Sequence, residues 1–160
     1  MSSQSKSEQD ASTHPVVTVA QEAFKGRIID GDVSAHTRNA QAIAKTWRMA
    51  AVSLDPSRYQ CEVLVRPDLD QRIDVLDRTE MCAFEFKVSG KNATAEFYKD
   101  IVKVLLWNEH HPEKIKMLVF ITEETSGRRH LDTAMPKAFV RFLHQNHGVK
   151  IQVEYVRGPD

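Results

Sequence analysis

The spacing of hydrophobic positions changes along the first half of the chain, and each change marks an element. Apolar side chains recur at three- and four-residue intervals between residues 34 and 51, which predicts an amphipathic helix. Three strand-like runs follow at 59–66, 72–77 and 81–88. Only a few polar residues separate these runs, and such short connections favour an antiparallel meander.

The second half of the chain alternates helical and strand-like patterns. A helix is predicted from about 92 to 108, where Pro112 prevents its continuation. The run 114–122 is almost entirely apolar, as in a strand covered on both faces. A loop containing Gly127 is then expected, followed by a helix over 133–147 and an alternating, half-exposed edge strand over 149–156.

These elements follow the order α-β-β-β-α-β-α-β, which predicts an α/β protein. We expect a mixed central sheet with an α-β-β-β-α-β core flanked by helices, plus a C-terminal helix and edge strand. Residues 1–15 are polar and aperiodic and are predicted to form a disordered tail. Residues 16–160 are predicted to form one domain, with a short helix near 21–25.

Composition narrows the class of protein. The chain has 160 residues, of which 41% are hydrophobic, enough for one domain with its own core. Its 22 basic residues balance 22 acidic ones, which excludes a polybasic protein held to a polyanion by total charge alone. No apolar run approaches the roughly 18 residues of a membrane span. Without a signal-like N-terminus, Cys61 and Cys82 are expected to be reduced thiols in a cytoplasmic protein.

Candidate chemistry is concentrated between residues 72 and 91. The two-residue period of the third strand places Ala83, Glu85 and Lys87 on one face and large apolar residues on the other. If the second and third strands form a hairpin, Asp74 comes close to Glu85. Charged groups inside a sheet cost several kcal/mol unless they are partnered, so three of them together need an explanation.

Two explanations are open. Glu85 and Lys87 can form a solvent-exposed ion pair, which is worth only about 0–1 kcal/mol. Alternatively, the carboxylates of Asp74 and Glu85, with the backbone carbonyl of Phe86, can bind Mg²⁺, which prefers oxygen ligands. Lys87 then positions or activates the attacking water, or shields charge that develops on a phosphate.

The pattern Asp74-x10-Glu85-x-Lys87, placed on the second and third strands of a meander between two helices, resembles the PD-(D/E)xK nuclease superfamily. That superfamily includes restriction endonucleases and Holliday-junction resolvases, and the resemblance covers residues 33–122. It implies a Mg²⁺-dependent DNA endonuclease in which Mn²⁺ can substitute. Asp74 and Glu85 would be the metal ligands and Lys87 the catalytic lysine. The alternative is a nuclease-like fold that acts as a DNA-binding or protein-interaction module without turnover.

The chain lacks a third acidic residue at the position where many members of the family have one. Many members supply a glutamate from the helix before the first strand, and that helix contains none here. Glu62 on the first strand and Glu22 upstream are the available substitutes. A literal Pro67-Asp68 also precedes Glu85, but these residues fall in a turn, whereas a ligand should project from a strand.

DNA contacts are expected in two places. Residues 126–151 contain five Lys or Arg and one acid, and Lys137 and Arg141 share a helical stripe, which predicts either a phosphate-binding ridge or a solvated face. Lys91 and Asn92 follow the third strand at the mouth of the proposed site. Because duplex cleavage is often arranged by a symmetric pair, a homodimer is expected.

Overall fold

Five strands form one mixed sheet in which spatial order follows chain order, β1-β2-β3-β4-β5. The computed structural model describes residues 13–26 and 33–158, without the side chains of 33–38. The strands are β1 Tyr59–Leu64, β2 Arg72–Asp77, β3 Cys82–Lys87, β4 Met117–Glu123 and β5 Lys150–Val156.

The pairing confirms the predicted meander and edge strand. β1 pairs with β2 and β2 with β3, both antiparallel. β3 pairs with β4 and β4 with β5, both parallel. Parallel neighbours need crossover connections, and the intervening helices supply them. The carboxyl ends of β3, β4 and β5 therefore lie at one edge of the sheet.

Helices cover both faces of the sheet, as the fold class predicts. They are α1 Pro15–Gly26, α2 Val33–Leu54, α3 Ala93–His110, α4 Glu124–Leu131 and α5 Ala134–His147. α1 and α2 pack with Phe84 and Phe86 in one buried cluster. α3, α4 and α5 pack with Ala83 and Phe120 in the other. Among the described helices, none is both long and apolar enough to cross a membrane.

α1 is longer than the helix predicted at 21–25. It begins at Pro15, in the first helical position that proline favours, and the ring Nδ1 of His14 accepts a hydrogen bond from the Val16 amide at 3.1 Å. Trp47 of α2 donates from Nε1 to the Val16 carbonyl at 3.0 Å. Tertiary contacts thus stabilise a helical segment whose valines lower its intrinsic helix propensity. Residues 1–12 of the predicted tail lie outside the described residues.

The loop expected around Gly127 is instead the helix α4. The side chain of Glu123 caps it by accepting from the amides of Thr125 and Ser126 at 2.8 and 2.9 Å. Gly127 lies inside this helix, at a position that requires glycine. A Cβ there would come within 2.6 Å of Thr122 Cγ2 and 2.7 Å of Tyr155 Cε1. This glycine permits close packing of α4 on the sheet rather than ending a helix.

Candidate active site

β2 and β3 separate where the charged residues begin. Their backbone pairing stops at Val75 and Phe84, although β2 continues to Arg72 and β3 to Lys87. The gap between the separated ends, which we call the notch, lies at the carboxyl end of β3. Side chains rather than backbone ladders therefore satisfy the polar groups along this part of the sheet.

Asp74 and Glu85 face each other across the notch, as predicted. Asp74 Oδ2 accepts a hydrogen bond from the Phe86 amide at 3.2 Å, which fixes the half-buried carboxylate of Asp74 beside β3. Glu85 Oε1 accepts from the Asp74 amide at 3.4 Å. Each acid thus holds the strand that carries the other one.

The carbonyl of Phe86 faces the notch as well. The N–H and C=O of a residue in an extended strand point toward the same neighbouring strand. Because the Phe86 amide bonds to Asp74 on β2, its carbonyl points to the same side. Three oxygen-bearing groups of the predicted ligand set therefore border one gap.

Lys87 is directed toward α3 and not toward Glu85. Its Nζ lies 3.3 Å from Glu96 Oε2 and 3.8 Å from Asp100 Oδ2, and its side chain is 23% exposed. The predicted solvent-exposed ion pair between Glu85 and Lys87 is therefore wrong. Lys87 remains reachable from solvent while two carboxylates hold its amine on the notch side of α3.

Lys103 occupies the centre of the cluster, although the sequence analysis did not select it. Its Nζ lies 2.6 Å from Glu85 Oε1 and 2.8 Å from Asp100 Oδ1, and it donates to the Arg72 carbonyl at 2.8 Å. Both Lys103 and Asp100 are buried. The resulting charged cluster, named the notch cluster here, comprises Asp74, Glu85, Lys87, Glu96, Asp100 and Lys103.

Four carboxylates and two ammonium groups give the notch cluster a formal charge of −2 when all six are ionised, and Lys99, whose Nζ lies 3.9 Å from Glu96 Oε2, offsets one of these charges. Burial raises the pKa of Glu85 well above its usual range, and the charges of Asp74 and Asp100 act in the same direction against Lys103. Burial likewise raises the pKa of Asp100, opposed by Lys103 and Lys87. Burial and the neighbouring carboxylates thus favour the protonated forms of Glu85 and Asp100, so the notch cluster carries less negative charge than its formal value.

The two lysines keep their protons. Burial acts to lower the pKa of Lys87, but the charges of Asp100, Asp74 and Glu85 outweigh it and raise that pKa. For Lys103 burial again acts downward, while Glu85 and Asp100 raise the pKa above its usual range. Lys87 is consequently a positively charged hydrogen-bond donor at neutral pH, and not a general base.

The oxygen atoms of Asp74, Glu85 and the Phe86 carbonyl are of the chemical type that binds a hard divalent cation. Glu85 Oε2 is buried and has no hydrogen-bond partner, and leaving a buried polar oxygen unpaired in this way is unfavourable. Carboxylate and carbonyl oxygens are the groups that Mg²⁺ prefers. Within the described part of the chain, however, no three Asp, Glu, His or Cys side chains are arranged to hold a metal ion. Cation binding would thus require Lys103 to move away from Glu85 Oε1.

Neither proposed third acid lies in the notch cluster. Glu62 is 60% exposed and its Oε1 lies 3.9 Å from Arg48 of α2. Glu22 is exposed on α1, where it borders a groove with Val19 and Thr46 on the opposite side of the sheet. The additional acids come instead from α3, as Glu96 and Asp100.

The predicted DNA-binding residues fall in two places on the surface. Lys91 is exposed and Asn92, with a φ of 54°, precedes the first residue of α3, just beyond the carboxyl end of β3. Lys137 and Arg141 are exposed on α5 and border a separate cleft beside β5. They do not contact the notch cluster.

Three site residues on α3 were not predicted, because charged residues are normally assigned to the exposed side of a helix. Glu96, Asp100 and Lys103 recur at four- and three-residue spacing beside Phe97, Ile101 and Val104. This spacing places charged residues on the buried side of α3. A charge stripe that overlaps an apolar stripe is the signal that would have identified them.

Comparisons of this chain with protein-family models, with curated proteins and with solved structures give no significant match.

Proposed function

We propose that this chain is a Mg²⁺-dependent endonuclease that hydrolyses DNA phosphodiesters. Asp74 and Glu85 hold the cation, and Lys87 positions or activates the attacking water. One observation carries the proposal: a buried, unpartnered oxygen of Glu85 borders the notch opposite Asp74, in a cluster whose carboxyl groups outnumber its ammonium groups. A divalent cation would replace the proton that the raised pKa of Glu85 favours.

The chain's own groups have distinct tasks in this proposal. The Phe86 amide orients the Asp74 carboxylate, and the Phe86 carbonyl offers a third oxygen on the same side of β3. Lys87, partly exposed and protonated, attracts the phosphate and holds a water beside it. When bound, the cation supplies polarisation of a phosphate oxygen and lowers the pKa of its water.

Lys103 stabilises the cluster when no cation is bound. Its ammonium group pairs with both Glu85 and Asp100, at 2.6 and 2.8 Å. A cation near Glu85 would take over that role, and the two positive charges would repel each other. Cation binding is therefore expected to shift Lys103 toward Asp100 and the Arg72 carbonyl.

The test is nicking of supercoiled plasmid in Mg²⁺ or in EDTA. The wild type is expected to nick in Mg²⁺ only. Asp74→Asn, Glu85→Gln and Lys87→Ala are each expected to reduce the rate by at least about 100-fold, since each removes a charge from the reacting centre. Nicking that is unaffected by all three substitutions would refute the proposal.

Lys116→Ala is the matched control for Lys87→Ala. Lys116 is exposed and precedes β4, so it lies at the opposite edge of the sheet from the notch. The variant loses the same charge without touching the cluster and is expected to nick at the wild-type rate. Circular dichroism and thermal melting of each variant separate a catalytic loss from unfolding.

A second candidate function is a nuclease-like module that binds DNA or protein without turnover. The contact of Lys103 with Glu85 favours it, because Glu85 is only 1% exposed and its Oε1 is already neutralised. DNA retention without nicking in Mg²⁺, Mn²⁺ or any other divalent metal would support the module over the enzyme.

A further inference from the structure

A cleft of about 360 Å³ opens beside β5, on the face of the sheet that carries α3. It lies between α4, α5 and β5, and Phe97 of α3 closes one side. Glu96 and Asp100, on the same helix, contact Lys87 of the notch cluster instead. The cleft and the notch cluster therefore flank the first half of α3.

The inner part of the cleft is apolar and aromatic. Its lining includes Leu131 and Ile151, which are buried, together with Val153 and Tyr155. The Arg128 guanidinium stands 4.5 Å from the centre of the Tyr155 ring. A planar aromatic group can stack on the tyrosine or on the flat guanidinium.

The rim of the cleft is cationic. Lys137 and Arg141 border it, with Asp132 as the one acid among the lining residues. Lys137 Nζ is paired with Asp132 Oδ1 at 2.5 Å. Among the residues that the structure describes, Arg141 makes no ion pair within 4 Å. The exposed guanidinium of Arg141 is consequently available to an anion.

We infer that this cleft binds one unpaired nucleotide of the DNA strand, with the base against Tyr155 and a neighbouring phosphate on Arg141. The volume is within the range of small-molecule sites, and an apolar lining with a cationic rim matches a planar base joined to a phosphate. The inference rests on the proposed function, because DNA is taken as the ligand.

The position of the cleft is consistent with one strand reaching both sites. Lys87, Thr122 and Tyr155 are partners in one row across β3, β4 and β5. Two inter-strand spacings separate the backbones of Lys87 and Tyr155 by about 10 Å. Because α4 packs on Thr122 and Tyr155 through Gly127, a strand that reaches both sites must pass around α4, and the nucleotide held in the cleft would be displaced from a regular duplex.

The test compares two fluorescently labelled oligomers of equal length and charge in EDTA, where no cleavage can occur. One is a single-stranded oligodeoxyribonucleotide, and the other is its abasic counterpart. The wild type is expected to bind the oligomer with bases about 5- to 150-fold more tightly, the range that one base stacked on an aromatic side chain provides. Fluorescence anisotropy measures both dissociation constants.

Substitutions separate the base contact from the phosphate contact. Tyr155→Ala is expected to abolish the preference for bases, and Tyr155→Phe to retain it. Arg128→Ala, which removes a half-exposed side chain that is ion-paired with Glu124, is expected to reduce the preference as well. Arg141→Ala is expected to weaken the binding of both oligomers equally. Arg129 is an exposed arginine outside the cleft, and Arg129→Ala should leave the affinity for both oligomers unchanged.

Equal affinity of the wild type for the two oligomers would overturn the inference, as would an acidic peptide that binds as tightly as the DNA. Plasmid nicking by the same variants distinguishes this failure from failure of the proposed function. Metal-dependent nicking without base preference refutes only the nucleotide site. Base preference without nicking under any metal refutes only the endonuclease.

Discussion

The two faces of β3 carry side chains of opposite character within one six-residue strand. On the side of α1 and α2, Phe84 lies 4.7 Å from the His14 ring, and Phe86 meets Trp47 edge to face at 5.4 Å. On the side of α3, Glu85 and Lys87 meet a helix that buries Asp100 and Lys103. Both faces are packed, but different forces hold them.

The difference shows which face stabilises the fold and which one requires a functional reason. Burial of aromatic side chains is favourable by itself, at about 1.5–3 kcal/mol for each. Burial of ion pairs is frequently no better than that of apolar residues of the same volume, because desolvation offsets the Coulomb attraction. The charged face thus costs stability that an apolar face would retain, and the proposed binding of a cation and a phosphate would account for that cost.

The largest expected effect is on the apolar face. Phe84→Ala removes a fully buried ring and is expected to lower the free energy of unfolding by about 3–5 kcal/mol. Urea denaturation measures this loss. Phe142→Ala, which truncates a half-exposed ring on α5, is the control and should change stability by less than about 0.5 kcal/mol.

On the charged face, Lys103→Met is expected to cost about 3 kcal/mol because it leaves Glu85 and Asp100 buried without their ammonium partner. Adding Glu85→Gln should recover part of this loss, so that the double variant is more stable than the sum of the single effects predicts. Mg²⁺ should also raise the Tm of Lys103→Met more than that of the wild type. Additive losses with no response to Mg²⁺ would contradict our interpretation of this face.

The response to pH should differ between free and Mg²⁺-bound protein. Because the pKa of Glu85 is raised in the folded state, that state binds more protons than the unfolded chain above pH 4.5. The Glu85 contribution to stability is therefore present below pH 4.5 and is lost as pH rises toward the folded pKa. Mg²⁺ must displace the proton, so the increase in Tm that Mg²⁺ produces should grow with pH.

Thermal melts across pH, with and without Mg²⁺, measure this effect. Glu85→Gln is the control, and its melts should respond little to Mg²⁺ at any pH. A Mg²⁺ effect that is independent of pH, or equal in the two proteins, would count against cation binding at Glu85.

The smallest effect is expected at His14, on the apolar face. Its contribution to stability should increase with pH, whereas that of Glu85 decreases. Burial lowers the pKa of His14 against the attraction of Asp77, so the folded state binds fewer protons than the unfolded chain. Its contribution to stability is present above pH 6.5 and is lost as pH falls through the folded pKa. Protonation also ends the bond from the Val16 amide, a loss of about 1 kcal/mol. His14→Asn, which can still cap α1, should not show this pH dependence in melts between pH 5 and 8.

Much of this contrast was predictable from residues 82–88. The two-residue period placed Phe84 and Phe86 opposite Glu85 and Lys87, and the packing clusters confirm it. The short turns predicted the meander that brings Asp74 to Glu85. Local period and turn length determine these features, so one sequence is enough to find them.

The partners of those charges were not predictable in the same way. The contact between Lys103 and Glu85 depends on how far α3 is rotated about its axis, a property of tertiary packing. Glycine usually indicates a loop. Gly127 instead lies within α4, where the lack of a side chain allows the helix to approach Tyr155 of β5 closely. Both features arise from pairs of residues distant in sequence.

The most direct test of the central claim is a crystal structure with Mn²⁺, whose anomalous scattering locates the ion and which accepts the same oxygen ligands as Mg²⁺. Our account predicts an anomalous peak in the notch coordinated by Asp74 and Glu85, with Lys103 Nζ displaced from its 2.6 Å contact with Glu85 Oε1. A notch without Mn²⁺ at saturating concentration, in which Lys103 still contacts Glu85, would contradict it.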